Sequence, residues 1–356
     1  MIGGDMPLTL PSSLFVTHRL SQVGENEFRL SKSLRDALQR GAQTPLPAAL
    51  TAAQSSPLQD LPRLVEHLDS ILHHFLRLDH AVAMIEDMAK AVSERVRSNS
   101  DGYLAATLLV PHRDYTARHA LHCAIMAVRM SDAQQLDHDA SLRLVEAALT
   151  MNLGAVDLHN ELALQDGPLS TLQRQTLQIH PLTGSAILRE AGMRDEHWHQ
   201  WILLHHEQRD GRGYPFAMRD DAIPPVAHLL HIIDTMAAKL MPRVYRPRLP
   251  APKALGLMYT SMQEPVDRVL AGQLIKIMGL YPPGSFVELK NGERALVVRV
   301  GANAAAPLVS RELSPHPLVE TSAPPFQIAR AISQILDPPT AAQFDTYWRH
   351  APDVPR

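Results

Sequence analysis

Cysteine is nearly absent: Cys123 is the only one in 356 residues. An internal disulfide is thereby excluded, and a reducing compartment fits. Long hydrophobic runs are also missing. None reaches the roughly 18–20 residues of a spanning helix, so no membrane span is expected. Met1 to Pro11 lack the basic start and apolar stretch of a secretory signal. The chain is therefore expected to be soluble and cytoplasmic. Basic charge is not in excess either, with 34 Lys and Arg against 37 Asp and Glu, a net charge of −3. Proteins that bind DNA or RNA polymers usually carry a basic surplus, so that class is disfavoured.

What is present is a large apolar fraction, 45%, and 19 histidines. The length suggests two or three domains with a sizeable core. Residues 1–40 form a mixed N-terminal region with a short helical pattern at Leu30, Leu34 and Leu38. Residues 41–57 are rich in Ala, Pro and Ser and read as a linker. In the segment 58–100, Leu61, Leu64, Val65, Leu68, Ile71, Leu72 and Phe75 recur at spacings of three and four. That pattern predicts an amphipathic helix that packs on the main domain or forms a homodimer contact.

Residues 101–275 carry one helical pattern after another, with no alternating strand pattern. Tyr115–Met130, Ala140–Met151, Thr171–Ile179, Gly184–Glu190, Trp198–Glu207 and Pro225–Lys239 are all predicted helical. Residues 276–337 differ. Two alternating runs flank Asn291-Gly292, a strong hairpin signal, with an extension at Leu308–Arg311. The expected fold is mainly α: a helical bundle with a small C-terminal β hairpin element, and a peripheral tail at 338–356.

The densest chemical signal is His205-His206-Glu207 followed by Asp210-Gly211-Arg212-Gly213-Tyr214-Pro215. Imidazole is the commonest metal ligand, and glycine lets backbone approach a ligand closely. By itself the loop also reads as a helix stop, with Gly at positive φ and Pro as terminator. Other residues fall into register with it: Asp114-Tyr115-Thr116 and then His119, His180-Pro181 with Gly184, Ile223-Pro224 and then Asp234, and Arg243, Tyr245, Arg246 and Pro247. Tyr281-Pro282-Pro283-Gly284 completes the set.

From about Asp114 to Pro247 the chain resembles the HD-GYP domain family, a branch of the HD metallohydrolase superfamily. The resemblance implies an HD-type helical bundle in bacterial cyclic di-GMP signalling. It further implies phosphodiester hydrolysis at a centre of two or three ions, often iron or manganese. It places metal donors at His119, His180, His205, His206 and Asp234. It also places a His-Asp pair where this chain has Met151-Asn152, and a lysine where it has Ala155. Gly211, Gly213, Tyr214, Arg243 and Arg246 become candidates for substrate binding. In the family the glycine-rich loop is also implicated in contacts with diguanylate cyclase (GGDEF) domains.

Three departures within five residues bear on the chemistry. A bridging carboxylate neutralises its cations, whereas Asn152 is neutral. Losing one charge about 4 Å from an ion costs about 4 kcal/mol per unit of cation charge at an effective dielectric near 20. Met151 is a soft thioether, ill suited to manganese or iron(II). Ala155 offers neither proton nor cation. The surviving donors suffice for one divalent ion (iron, manganese or zinc) at reduced occupancy. His122, one turn beyond His119, is a candidate substitute donor. His73, His74, His197 and His199 are read as surface groups. Three functions follow as alternatives. The first is a weakly active or non-catalytic binder of cyclic di-GMP or of a diguanylate cyclase domain. The second is a phosphodiesterase working with the surviving ligands, and the third is a pure protein-interaction module.

Overall fold

The computed structural model describes residues 15–17, 28–39, 46–47, 49–50, 56–111, 114–244, 248–260, 267–311, 317–332 and 345–349. Most of the expected linker at 41–57 and most of the expected tail at 338–356 lie outside them. Two short strands, β1 (Phe15–Thr17) and β2 (Phe28–Leu30), pair antiparallel ahead of α1 (Lys32–Gln39).

The helical body begins at α2 (Pro57–His74). Ser56 caps it by accepting the Leu58 amide, and Pro57 stands at the first position, where no N–H is needed. α3 (Ala81–Ser98) and α4 (Ser100–Leu109) follow. The sequence pattern of 58–96 is thus two helices, parted by a tight turn at Phe75–Arg77 and the polar residues after it. Leu61, Leu64, Val65, Leu68, Ile71, Leu72 and Phe75 are all buried, and α2 packs on α4 and α5 within the chain.

Next come α5 (Tyr115–Ala133), α6 (His138–Thr150), α7 (Val156–Leu164), α8 (Thr171–Glu190), α9 (Glu196–Leu204), α10 (Pro225–Leu240), α11 (Ala251–Thr260) and α12 (Arg268–Met278). Asp137, Asp195 and Asp267 cap α6, α9 and α12, and Ser170 with Gln173 forms a capping box on α8. Leu121, Ile125, Leu144, Leu188, Ile202, Leu230 and Ile233 form the centre of the core.

The two helices read at 171–179 and 184–190 are one. α8 runs unbroken through Pro181 and packs on the turn at Leu153–Ala155. Gly154 and Gly184 make that packing close. A Cβ on Gly154 would stand 2.1 Å from the His180 carbonyl oxygen, nearer than any side chain can approach.

The C-terminal β element has more strands than the hairpin read from sequence. β3 (Phe286–Leu289), β4 (Arg294–Arg299), β5 (Leu308–Arg311), β6 (Val319–Glu320) and β7 (Ile328–Ile332) form one antiparallel sheet in the order β6-β5-β4-β3-β7. The turn at Asn291-Gly292 joins β3 to β4, with Gly292 at φ +87°. The short β6 and the partly exposed β7 carry no clear alternation, which is why they escaped the sequence pattern.

A short turn at Asp345–Tyr347 closes the architecture. Its Asp345 carboxylate accepts the Ser56 hydroxyl and, at 3.0 Å, the Gln59 side-chain amide. The Trp348 indole donates to the Val298 carbonyl at 3.0 Å, and Asn99 donates to the Trp348 carbonyl at 2.5 Å. The start of α2, the start of α4 and the sheet are thereby clasped together.

Candidate metal centre

The site is assembled by helix ends and by one proline. Pro181 has no N–H, so the Leu177 carbonyl four residues earlier loses its helical donor. The His180 imidazole takes that carbonyl, Nδ1 donating at 2.6 Å. At the end of α9, where carbonyls have no helical partners, His205 Nδ1 donates to Ile202 at 2.6 Å. Both rings therefore keep their lone pair on Nε2. Those two Nε2 atoms face each other at 3.2 Å. Two acceptors in contact repel unless a proton or a cation lies between them. Nitrogen ligands of one tetrahedral ion stand about 3.3 Å apart, so the spacing fits a shared cation.

His206 completes this group: donor atoms of His180, His205 and His206 lie within 4.8 Å of one another. Burial holds all three imidazoles neutral. His205 is pushed down to about 4, and His180 and His206 well below the usual histidine value. Neutral imidazole is the form that ligates.

A second group lies between α5 and α10. His119 Nε2 stands 2.7 Å from Asp234 Oδ1 and 3.6 Å from Cys123 Sγ. Burial works against the Asp234 carboxylate, but the hydrogen bond and charge of His119 hold its pKa well below the carboxylate range. The Tyr115 ring stacks on His119 with centroids 5.6 Å apart. Arg243 donates to the Tyr115 hydroxyl at 2.7 Å and 3.1 Å. Arg243 is thus anchored at the rim of this group, and Arg246 lies outside the described residues.

Met151 ends α6 and is fully buried. Asn152 begins the turn that Gly154 presses against His180. It is 2% exposed, and neither its amide nitrogen nor its oxygen has a hydrogen-bond partner among the described residues. A buried, unsatisfied amide is costly and calls for a missing partner. Ala155, next to it, is buried and apolar.

The glycine-rich loop is tied down from beneath. Glu207 is fully buried and accepts the Phe216 amide at 2.6 Å and the Met218 amide at 2.9 Å. Gly211 sits at φ +78°. Gly213 approaches so closely that a Cβ would stand 2.3 Å from the Gln208 amide nitrogen. The loop folds back until the Tyr214 ring stacks on His206, centroids 4.6 Å apart. One face of Tyr214 is therefore already in use.

Several histidines differ from their sequence reading. His74 and His199 are buried, not on the surface. Each has a partner that makes burial tolerable: His74 the Ser70 carbonyl at 2.9 Å, His199 the Ser185 hydroxyl at 3.0 Å. His73 lies between the carboxylates of Asp69 and Asp157, at 3.2 Å and 3.3 Å. His197 is exposed as read. His122 is buried without a hydrogen-bond partner among the described residues and belongs to neither donor group.

Two site histidines were missed. The His159 ring meets His180 edge to face at 5.5 Å, its Nε2 buried and unpartnered among the described residues. His231 donates from Nδ1 to the His205 carbonyl at 2.9 Å, and its Nε2 is likewise orphaned. A signal existed for each. His159 shares the helical stripe of Val156 and Ala163, and His231 stands one turn from Asp234.

The HD domain family matches residues 83–270. A cyclic di-GMP phosphodiesterase of Pseudomonas aeruginosa is 24% identical over 222 residues, covering 61% of this chain and 52% of the relative. The 3'3'-cGAMP-specific phosphodiesterase 3 of Vibrio cholerae is 25% identical over 168 residues, 47% of this chain and 36% of the relative. The cyclic di-GMP phosphodiesterase response regulator RpfG of Xanthomonas campestris is 29% identical over 163 residues, 43% of each. The chain spans about half the length of these relatives or less. Among solved structures, an HDGYP protein of Bdellovibrio bacteriovorus superposes with a TM-score of 0.51 at 14% identity, covering 68% of this chain and 76% of its own. That likeness shows the fold alone. No helix of the described residues is long and apolar enough to cross a membrane.

Proposed function

The chain belongs to the HD domain family, and from that premise we propose that it works in cyclic dinucleotide signalling as an HD-GYP protein with an incomplete metal centre. Its role is to bind the nucleotide, with hydrolysis weak or absent. One observation carries this reading. The donors His119, His180, His205, His206 and Asp234 gather into two groups, while the positions where the resemblance puts a His-Asp pair hold buried Met151 and Asn152, whose amide has no partner among the described residues.

The residues present fit one ion better than a full cluster. Either group would hold it, His180, His205 and His206 through three nitrogens or His119 with Asp234 through nitrogen and oxygen. A bound cation would supply Lewis acidity to a phosphate and acidify a water. Around it, Arg243 would orient a phosphate oxygen, and the backbone at Gly211 and Gly213 would admit the ligand. Asn152 and Ala155 would bring no charge with which to hold a second ion or steady a leaving group.

The test is metal analysis of the purified chain, with hydrolysis of cyclic di-GMP and of 3'3'-cGAMP measured on the same sample under anaerobic conditions. Substoichiometric metal, measurable nucleotide binding and little turnover are expected. Robust turnover that vanishes in His205→Ala or His206→Ala would overturn the non-catalytic reading and leave an active phosphodiesterase. Partner choice has its own test: calorimetry gives heat with nucleotide alone if the nucleotide is the ligand, and only with a diguanylate cyclase domain if the loop serves as a protein contact.

A further inference from the structure

α5 carries a donor that the resemblance to the family does not assign. Cys123 stands one turn after His119, so both side chains leave the same face of the helix toward Asp234 on α10. The donor atoms of His119, Cys123 and Asp234 all lie within 4.8 Å of one another. An ion with tetrahedral angles and bonds of about 2.0–2.3 Å sets nitrogen and sulfur ligands about 3.5 Å apart. Cys123 Sγ and His119 Nε2 are 3.6 Å apart. Asp234, now hydrogen-bonded directly to His119 at 2.7 Å, has only to draw back to admit the ion.

The charge argument points the same way. An anionic bridging ligand is expected at position 152, and a neutral, unpartnered, buried amide stands there. A thiolate is anionic. With Asp234 it returns to the centre the negative charge that Asn152 withholds. Thiolate, a soft donor, widens the preference for zinc over manganese beyond what imidazole and carboxylate give.

We propose that Cys123 is a metal ligand, its thiolate completing a His119–Cys123–Asp234 site that selects zinc-like, thiophilic ions over manganese. The inference rests on the reading that the chain holds an ion at this centre. On binding, the sulfur–metal bond forms and the thiol proton passes to solvent.

The chain offers an unusually clean test, because Cys123 is its only cysteine. The full-length protein, stripped with chelator, is titrated with cobalt(II) and followed by electronic absorption. A sulfur-to-cobalt charge-transfer band is expected in the wild type and absent in Cys123→Ser and Cys123→Ala. Zinc affinity should fall at least about tenfold in both variants, and manganese affinity much less. X-ray absorption of the zinc-loaded wild type should show one sulfur at about 2.3 Å, which decides the matter even if the variants do not fold. Zinc or cobalt bound with nitrogen and oxygen ligands alone would overturn this proposal and leave the histidine centre standing. No binding of either ion by the wild type would overturn both.

Discussion

Glu207 is bonded to Phe216: its carboxylate accepts the Phe216 backbone amide at 2.6 Å, and the second oxygen takes Met218 at 2.9 Å. The glutamate of the His-His-Glu run thus serves as the anchor of the loop that follows, and the two flanking segments are one structural unit. Burial raises the Glu207 pKa, and the amides of Phe216, Met218 and Ala217 offset part of that rise.

Glu207→Ala should therefore release the loop without touching a metal donor. A loss of about 2–4 kcal/mol is expected, since charged hydrogen bonds contribute about 1.5–3 kcal/mol each and the amides are left unpaired. Thermal unfolding reads the loss. Glu207→Gln, which keeps one acceptor, should fall between the two. An unchanged midpoint for Glu207→Ala would mean that the loop holds itself.

Restoring the missing pair should restore metal. The double change Met151→His with Asn152→Asp is expected to raise metal retained after dialysis at least tenfold, because about 4 kcal/mol per unit charge returns to the centre. Adding Ala155→Lys is expected to raise turnover further. Metal analysis and hydrolysis assays check both steps. If occupancy does not rise, burial of Met151 has closed the space that a ligand needs.

Arg243 and Tyr214 separate charge from stacking in nucleotide binding. Arg243→Ala should weaken cyclic di-GMP in a manner that shrinks with added salt, as screening predicts. Tyr214→Ala should weaken it by about 1–3 kcal/mol if the free face of the ring stacks on a base. Isothermal titration at two salt concentrations measures both. Unchanged affinity in both variants would move the binding face elsewhere, with residues 1–100 the next place to look.

Stability should fall with acid, beginning near neutrality. Burial lowers His199 and His228 from 6.5 to about 4. Between those values the unfolded chain binds more protons than the folded one, so unfolding free energy rises with pH. The stabilisation from keeping these rings neutral is complete above 6.5 and is lost as pH falls toward 4. Each ring contributes a slope of about 1.4 kcal/mol per pH unit within that window. Denaturant midpoints at pH 7.5, 6 and 5 should decline in that order. Replacing His228 by an apolar residue should flatten the decline.

Much of this was legible in the residues. The helices at 115–130, 140–151 and 225–239 follow from apolar spacing, and Asn291-Gly292 announced its hairpin. The proline after His180 was legible as a motif but misleading as a helix break: its use is to free the Leu177 carbonyl that orients the histidine. The reach of Glu207 across to Phe216 and the contact of Gly154 with His180 are tertiary facts, invisible to local pattern. His159 and His231 stayed hidden because a lone histidine on an amphipathic helix reads as packing until a second helix is laid against it.

The clasp at Ser56 and Asp345 has a mechanical meaning. Residues 289 positions apart in sequence are held side by side, so the bond closes a long loop of chain. Force drawn between Ser56 and Asp345 would be borne by that hydrogen bond, by Gln59 on the same carboxylate and by the Trp348 indole on Val298.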